Sequence, residues 1–517
     1  HEMFHHWFGD LVTCESWSNL TLNEGFANYS EYLWLEHNYG KDEADNHLMT
    51  ECEGYIQSSM DGIHPLIYFE YADKEDMFDA HSYNKGGLVL HMLRNYIGDE
   101  AFFAGLKRYL DVNAYTEVEA DELRIAFEDV VGEDLNWFFN QWYFAAGHPE
   151  LEIEYGYVDG QATVTVEQVQ DPEVQPAIFE IPTTVDIYLA DGTKVRKEIR
   201  VTERLQTFTF DVPSEPKLVT FDGDRTVLCD FVDNKTEAQL AYQYQHCTTF
   251  RDRWEALEKL EGSSDAASAN IYNAALMDPF YSIRALAVAN CRKDGRNMMT
   301  LQKMAESDPH SSVREAALYQ LVESDIDGNA DLAKRVIEKE QAYPVVAAAL
   351  QLLNANDSEA ALKVAKKLES EKNGDILAAV GQIYSETGDS KYLSFFEDNF
   401  GEVEFFSAIT FFQLYGQLAV KGDLDQVLAS GKILSAYGTD MGQSPWRRFG
   451  SMGALNSLHA ELVSRLDDAD MLTEEAKTKL KEGDNSLIKM IEMVKSAETN
   501  PQLLGMYQNF PNPPAKP

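Results

Sequence analysis

The chain has 517 residues, 44% of them hydrophobic, and a formal net charge of −44 at neutral pH. That length predicts three or four domains, each able to bury a sizeable core. The acidity excludes nucleic acid as a partner, since phosphate contacts need basic patches. No stretch of about 20 apolar residues is present to span a membrane.

Negative charge is densest in the first 147 residues. A solvated acidic surface accounts for it, with attraction of cationic peptides as the functional alternative. The five cysteines (Cys14, Cys52, Cys229, Cys247, Cys291) are scattered and form no C-x-x-C pair. This pattern predicts free thiols in a reducing compartment rather than a disulfide framework. A soluble, cytoplasmic protein is therefore favoured, with an upstream signal peptide left open.

The first predicted element carries chemistry. Residues 1–5 read H-E-M-F-H, and Asn23-Glu24-Gly25 follows downstream. On a helix, His1 and His5 share one face, near enough to bind one small cation. Zn²⁺ takes about four ligands in a tetrahedron, and a catalytic site leaves one position for water. With His1, His5 and Glu24 as ligands, that position stays open. Glu2 is displaced by about 100° around the helix, beside the metal, where a general base is required. Asn23 is expected to cap a second helix and so place Glu24 in its first turn. The plain alternative, two histidines on a helix with a capping glutamate, leaves Glu24 unexplained.

HEMFHHWFGDLVT followed by LNEGFA resembles the aminopeptidase N family of gluzincin zinc metallopeptidases. Ala80 to Gly87 (AHSYNKGG) is similar to that family's Y-x-K-G segment, and Trp142 to Pro149 (WYFAAGHP) to its exit from the catalytic domain. The resemblance covers about residues 1–150 in motif and the remainder in architecture. It implies one Zn²⁺ on His1, His5 and Glu24, Glu2 as base, and Tyr83 as hydroxyl donor to the oxyanion, which suits a phenol. It also implies peptide substrates with a free N-terminus.

His6 stands where the family commonly has glutamine, Asp10 replaces a common asparagine, and Thr21 a common tryptophan. None is a ligand position. His6, at i+5 from His1, faces off the ligand row and is expected to pack or to support the ligands. The resemblance further implies that half of the catalytic domain precedes His1, with a Gly-x-Met-Glu-Asn strand that reads the substrate amine. No such string occurs here. The chain is therefore expected to be the C-terminal portion of a longer protein, inactive by itself and exposing apolar surface over residues 1–147.

The expected fold is mostly α with a small β-sandwich. Residues 1–147 form the helical lobe of a thermolysin-like catalytic domain. Residues 148–235 alternate in polarity, and Asp159-Gly160 and Asp191-Gly192 each join two such runs. Asp-Gly in that setting signals a hairpin, so an antiparallel β-sandwich is expected. Residues 236–508 read as helices. Asp278-Pro279 to Ala285 recurs as Asp308-Pro309 to Glu315, thirty residues on, and weaker copies fall at Ala342–Leu353 and Asp375–Tyr384. This is the pattern of a HEAT/armadillo-like α-solenoid. The proline-rich residues 509–517 are expected to be a disordered tail.

Trp446-Arg447-Arg448-Phe449 is a basic cluster in an acidic chain, expected as a helix end with solvated arginines. Two functional alternatives remain. A thermolysin-like endopeptidase shares the same zinc motif, and a non-catalytic helical-repeat scaffold shares the later architecture.

Overall fold

The computed structural model describes residues 1–263, 265–324, 326–467, 473–508 and 510–511. The expected tail, 509–517, lies outside the described residues apart from Phe510 and Pro511. The chain divides into two compact units, His1–Asn290 and Cys291–Pro517.

The first unit opens with a short 3₁₀ turn, Phe4–His6. Six helices follow: α1 (Thr21–Tyr39), α2 (Lys41–Ser59), α3 (Gly86–Ile97), α4 (Asp99–Val112), α5 (Ala120–Val131) and α6 (Asn136–Trp142). Sequence punctuation sets their limits. Gly40, at φ +94°, ends α1 and starts α2, and Asp42 and Glu43 in the first turn of α2 complement its dipole. A capping box between Glu119 and Glu122 opens α5. A five-residue π-turn, His81–Lys85, runs straight into α3.

Two sheets come next. The strands are β1 (Thr13–Cys14) and β2 (Glu117–Val118), a minor parallel pair, then β3 (Glu150–Val158), β4 (Gln161–Gln168), β5 (Ile181–Tyr188), β6 (Lys194–Val201), β7 (Leu205–Asp211), β8 (Leu218–Phe221) and β9 (Asp230–Asp233). One sheet has the order β7-β4-β3-β9 and the other β6-β5-β8. The Asp159-Gly160 hairpin forms as read: both residues have positive φ, and Val158 pairs with Gln161. One departure is β9, which joins β3 in parallel rather than antiparallel. It arrives by a long connection, so no hairpin fixes its direction.

Phe8, together with Phe26, Phe102 and Phe127 from the helices, shares one buried apolar cluster with Leu151, Val164, Ile187 and Phe221 from the sheets. The catalytic-type segment and the sheets therefore do not have separate cores. Met3, Trp7, Trp34 and Phe69 remain exposed on the same segment. The unit ends in four helices, α7 (Glu237–His246), α8 (Phe250–Lys259), α9 (Ala266–Ala275) and α10 (Tyr281–Asn290).

The second unit is helical throughout its described residues: α11 (Gly295–Ser307), α12 (Ser311–Val322), α13 (Asn329–Lys339), α14 (Tyr343–Asn356), α15 (Ser358–Leu368), α16 (Gly374–Thr387), α17 (Leu393–Glu397), α18 (Phe405–Ala419), α19 (Leu424–Thr439), α20 (Pro445–Asp467), α21 (Glu474–Ala497) and α22 (Pro501–Tyr507). Alternate helices stack, α12 on α14, α14 on α16, α16 on α18 and α18 on α20.

The two Asp-Pro segments share one local design. The carboxylate of Asp278 accepts the N–H of Phe280, and that of Asp308 the N–H of His310, both at 2.9 Å. Arg284 and Arg314, six residues on, each donate back to the carbonyl of their own aspartate at 2.9 Å. Among the described residues, no helix is long and apolar enough to cross a membrane.

Candidate metal centre and active site

Residues 1–5 do not form the expected α-helix. The Phe4 N–H reaches the His1 carbonyl at 2.9 Å, and the Phe8 N–H the Phe4 carbonyl at 3.2 Å. Bonds from Asp10 to His5 and from Leu11 to His6 then widen the turn, and Gly9 at φ +148° turns the chain away. A single tightened turn still sets His1 and His5 on one side, with ring centroids 5.0 Å apart. The expectation for Asn23 also fails. Helix α1 begins at Thr21, so Asn23 lies inside it and donates to the Cys14 thiol at 3.5 Å. Glu24 is nevertheless in the first turn.

The three residues converge. A Glu24 carboxylate oxygen lies 3.3 Å from His1 Nε2 and 3.3 Å from His5 Nε2. The ligand atoms of His1, His5 and Glu24 all lie within 4.8 Å of one another. The opposite ring nitrogens are already committed. His1 Nδ1 donates to Glu31 at 3.0 Å, and His5 Nδ1 donates to the Phe8 carbonyl at 3.0 Å. With Nδ1 as the donor, each imidazole has its Nε2 lone pair facing Glu24. Three electron-pair donors facing one point is what a cation requires. A tetrahedron with bonds of about 2.0–2.1 Å has edges of about 3.3–3.4 Å, and the two Glu24 distances fit that edge.

Tyr83 closes the other side. Its ring stacks on His1, with centroids 5.8 Å apart and planes 9° from parallel. Its hydroxyl interacts with the Glu24 carboxylate. Burial, and then the negative charges of Glu24 and Glu2, hold the phenol well above its ordinary value, so it remains a proton donor at neutral pH. Burial likewise raises the Glu24 carboxyl, opposed by His5 and the Tyr83 hydroxyl and reinforced by Glu2. A cation between these groups would reverse that shift. Glu2 is exposed. Its charge acts on both Glu24 and Tyr83, which sets it at the mouth of the same site.

Residues 1–142 match the model of the peptidase family M1 domain. Over this stretch the chain carries a peptidase family M1 domain, similar to the aminopeptidase N family. Over 157 residues the chain is 33% identical to Aminopeptidase M1-A of Oryza sativa subsp. japonica, covering 30% of the chain and 18% of that protein. Over 159 residues it is 35% identical to the Tricorn protease-interacting factor F2 of Thermoplasma volcanium, covering 30% and 20%. Aminopeptidase N of Lactococcus lactis subsp. lactis is 31% identical over 191 residues, covering 35% and 22%. The match thus spans about a fifth of the length of these relatives. A crystal structure of Legionella pneumophila aminopeptidase A in complex with aspartic acid shares the fold, at a TM-score of 0.57 and 16% identity, over 98% of the chain and 64% of that structure.

Sequence reasoning missed Glu31, which holds His1 by its second ring nitrogen. The signal was available: Glu31 is seven residues beyond Glu24 on α1, two turns along the same face. His47, from α2, approaches the other Glu31 oxygen at 3.5 Å. His6 neither packs nor supports a ligand; it is exposed and meets Asp10 at 3.3 Å.

In the second unit, the arginines of the basic cluster are engaged by protein groups. Arg447 donates to the carbonyls of Val403 and Gly401, and buried Arg448 pairs with Glu498 at 2.9 Å.

Proposed function

We propose that this chain carries the zinc-binding half of an aminopeptidase site that hydrolyses N-terminal peptide bonds. The observation that carries the reading is the convergence of the His1 and His5 lone pairs and the Glu24 carboxylate on one point beside the Tyr83 hydroxyl. His1, His5 and Glu24 would hold one Zn²⁺, with Glu31 fixing the tautomer and angle of His1. A zinc bound there supplies Lewis acidity for polarising a carbonyl and acidifying water.

The chain's own groups do the rest. Glu2 takes a proton from the attacking water and delivers it to the departing amine. The Tyr83 hydroxyl donates a hydrogen bond to the oxygen that becomes negative as the carbonyl carbon turns tetrahedral. Both roles suit the exposure of Glu2 and the raised phenol of Tyr83.

The preference for a free N-terminus comes from the family and from the relatives named as aminopeptidases. In the same reading, residues 1–147 are the catalytic lobe, 148–235 a β-sandwich spacer, and 236–508 a HEAT-like solenoid. The two-sheet arrangement and the alternate stacking of helices support those assignments.

The test is hydrolysis of an amino-acid arylamide and of its N-acetylated form, by this chain or by a longer polypeptide containing it, beside the Glu2→Gln variant. Zinc-dependent cleavage of the free amine alone supports the proposal. Equal cleavage of both substrates means an endopeptidase, and activity of the longer polypeptide no higher than that of its Glu2→Gln variant favours a scaffold.

A further inference from the structure

A second cluster has the same composition as the metal centre but a different geometry. His64, Asp79 and His81 also present three ligand atoms within 4.8 Å. Asp79 Oδ2, however, lies 2.7 Å from His64 Nε2 and 2.9 Å from His81 Nδ1. These are lengths of charge-assisted hydrogen bonds, shorter than the edge of a zinc tetrahedron. The other ring atoms agree. His64 Nδ1 meets the Pro65 carbonyl at 2.7 Å, so both of its ring nitrogens are engaged by acceptors. His81 Nε2 faces the His64 backbone N–H at 3.5 Å and serves as acceptor, leaving the proton on Nδ1.

The remaining Asp79 groups hold backbone. Its Oδ1 accepts the N–H groups of His81 and Ser82, each at 3.0 Å, and its carbonyl accepts the N–H of Tyr83 at 3.2 Å. The carboxylate thus takes four hydrogen bonds, which matches its full lone-pair capacity. All of the backbone bonds enter the π-turn that carries Tyr83. From the other side, the loop around His64 is tied down by Ile67, whose N–H meets the Tyr143 carbonyl at 3.0 Å, and by Tyr68, whose N–H meets the Ser18 carbonyl at 3.2 Å.

We propose that Asp79, clasped by His64, is the positioning residue for Tyr83: it fixes the π-turn to the His64 loop and so sets where the phenol stands over His1. The proposal rests on the peptidase reading of His1, Glu24 and Tyr83. Burial pushes the Asp79 carboxyl up, but the bonds from His64, His81 and the Ser82 N–H outweigh it and hold the group well below the usual carboxylate range. Lys85, on the same turn, is fully buried with no hydrogen-bond partner for its ammonium. Burial lowers it to about 7, against the opposing charge of Asp79. Removing that carboxylate would strip the turn of its bonds and leave Lys85 without its counter-charge.

The test is a kinetic double-mutant cycle on Asp79→Ala and Tyr83→Phe, with zinc content measured for each variant. A misplaced catalytic group costs rate rather than binding. Asp79→Ala is expected to lower kcat by about ten- to a hundredfold with KM within about twofold. In the Tyr83→Phe background the same change should cost less than about twofold, because the group it positions is already gone. Asp79→Asn, which keeps an acceptor for the two N–H groups, should fall between. Equal losses in both backgrounds, or a loss carried by KM, would overturn the proposal and leave Asp79 structural.

Absence of turnover in a longer polypeptide that contains this chain and supplies the rest of the site would fail the peptidase reading instead. The clasp would then be read from 3-fluorotyrosine label, with the Tyr83 signal assigned by its loss in Tyr83→Phe. A shift of that signal in Asp79→Ala toward an exposed tyrosine supports the clasp, and an unmoved signal overturns it.

Discussion

Gly25 and Gly86 meet backbone to backbone. A Cβ on Gly86 would stand 3.0 Å from the Gly25 Cα, and one on Gly25 would stand 3.1 Å from the Gly86 Cα. Thr21, one turn earlier on α1, donates its hydroxyl to the Ser82 carbonyl at 3.0 Å and fills the same crossing. The contact lies one residue after Glu24 and three after Tyr83. It is therefore the crossing of α1 with the start of α3 that brings the carboxylate and the phenol together.

Gly86→Ala should accordingly be costly at a position where the backbone is ordinary. The added methyl meets the Thr21 hydroxyl and the α1 backbone, and overpacking of this kind costs about 1–3 kcal/mol. The expected result is a lower melting temperature for the first unit and a fall in turnover, with zinc retained. A variant as stable and active as the parent would show that the crossing has slack.

One zinc per chain is expected by elemental analysis, lost in His5→Ala and Glu24→Ala. Glu31→Gln removes the carboxylate that orients His1 while leaving the three ligands. It should weaken zinc affinity by about 10–100-fold in a chelator competition. Unchanged affinity would make the His1–Glu31 contact incidental.

Glu2→Gln should retain the metal and lose most turnover, since an amide accepts no proton. Tyr83→Phe should slow turnover by about 10²–10³ with little change in KM, the usual effect of deleting one oxyanion donor. Near-normal turnover in Tyr83→Phe would reduce the tyrosine to a packing residue.

In the second unit, Glu498 is held below its ordinary value. Burial raises it, but Arg448 and the N–H groups of Asn500 and Thr499 outweigh that effect. Folding therefore favours the ionised form. The stabilisation is complete above the unfolded carboxyl value of about 4.3 and is lost as pH falls through the lower folded value. Glu498→Gln should flatten this acid limb of the unit's stability. At neutral pH it should cost about 3 kcal/mol, because Arg448 would be left buried without its charge partner. An unchanged acid limb would place the sensitivity elsewhere.

That His1, His5, Glu24 and Tyr83 come together was legible, because the motif spacing that suggests one shared site does not depend on the local conformation. His1 and His5 stand with ring centroids 5.0 Å apart although the turn between them is not α-helical. The turn itself was not legible, since the bonds from Asp10 and Leu11 that widen it come from residues that read only as a loop. His64 and Asp79 were equally hidden: they are fifteen residues apart in no periodic pattern, and tertiary folding alone brings them together. Arg448 misled for a related reason. An arginine near a helix start reads as solvated unless its partner, here fifty residues on, is known. The Asp159-Gly160 turn was read correctly because both residues suit positive φ locally, while β9 depended on a long return of the chain.

The π-turn at His81–Lys85 holds one residue more than the α-helix it leads into would need. That surplus uncouples helix integrity from the direction of the Tyr83 side chain. Loss of a single residue from this stretch would let α3 wind back by one regular turn, keeping its buried face. It would also rotate the phenol by about 100° away from His1. On the proposed reading, an ancestor or descendant of this chain could therefore lose its activity through a one-codon deletion, with His1, His5, Glu24 and Tyr83 all still in its sequence. Such a loss would show in the spacing between Asp79 and Gly86, where a comparison of residue types alone would not find it.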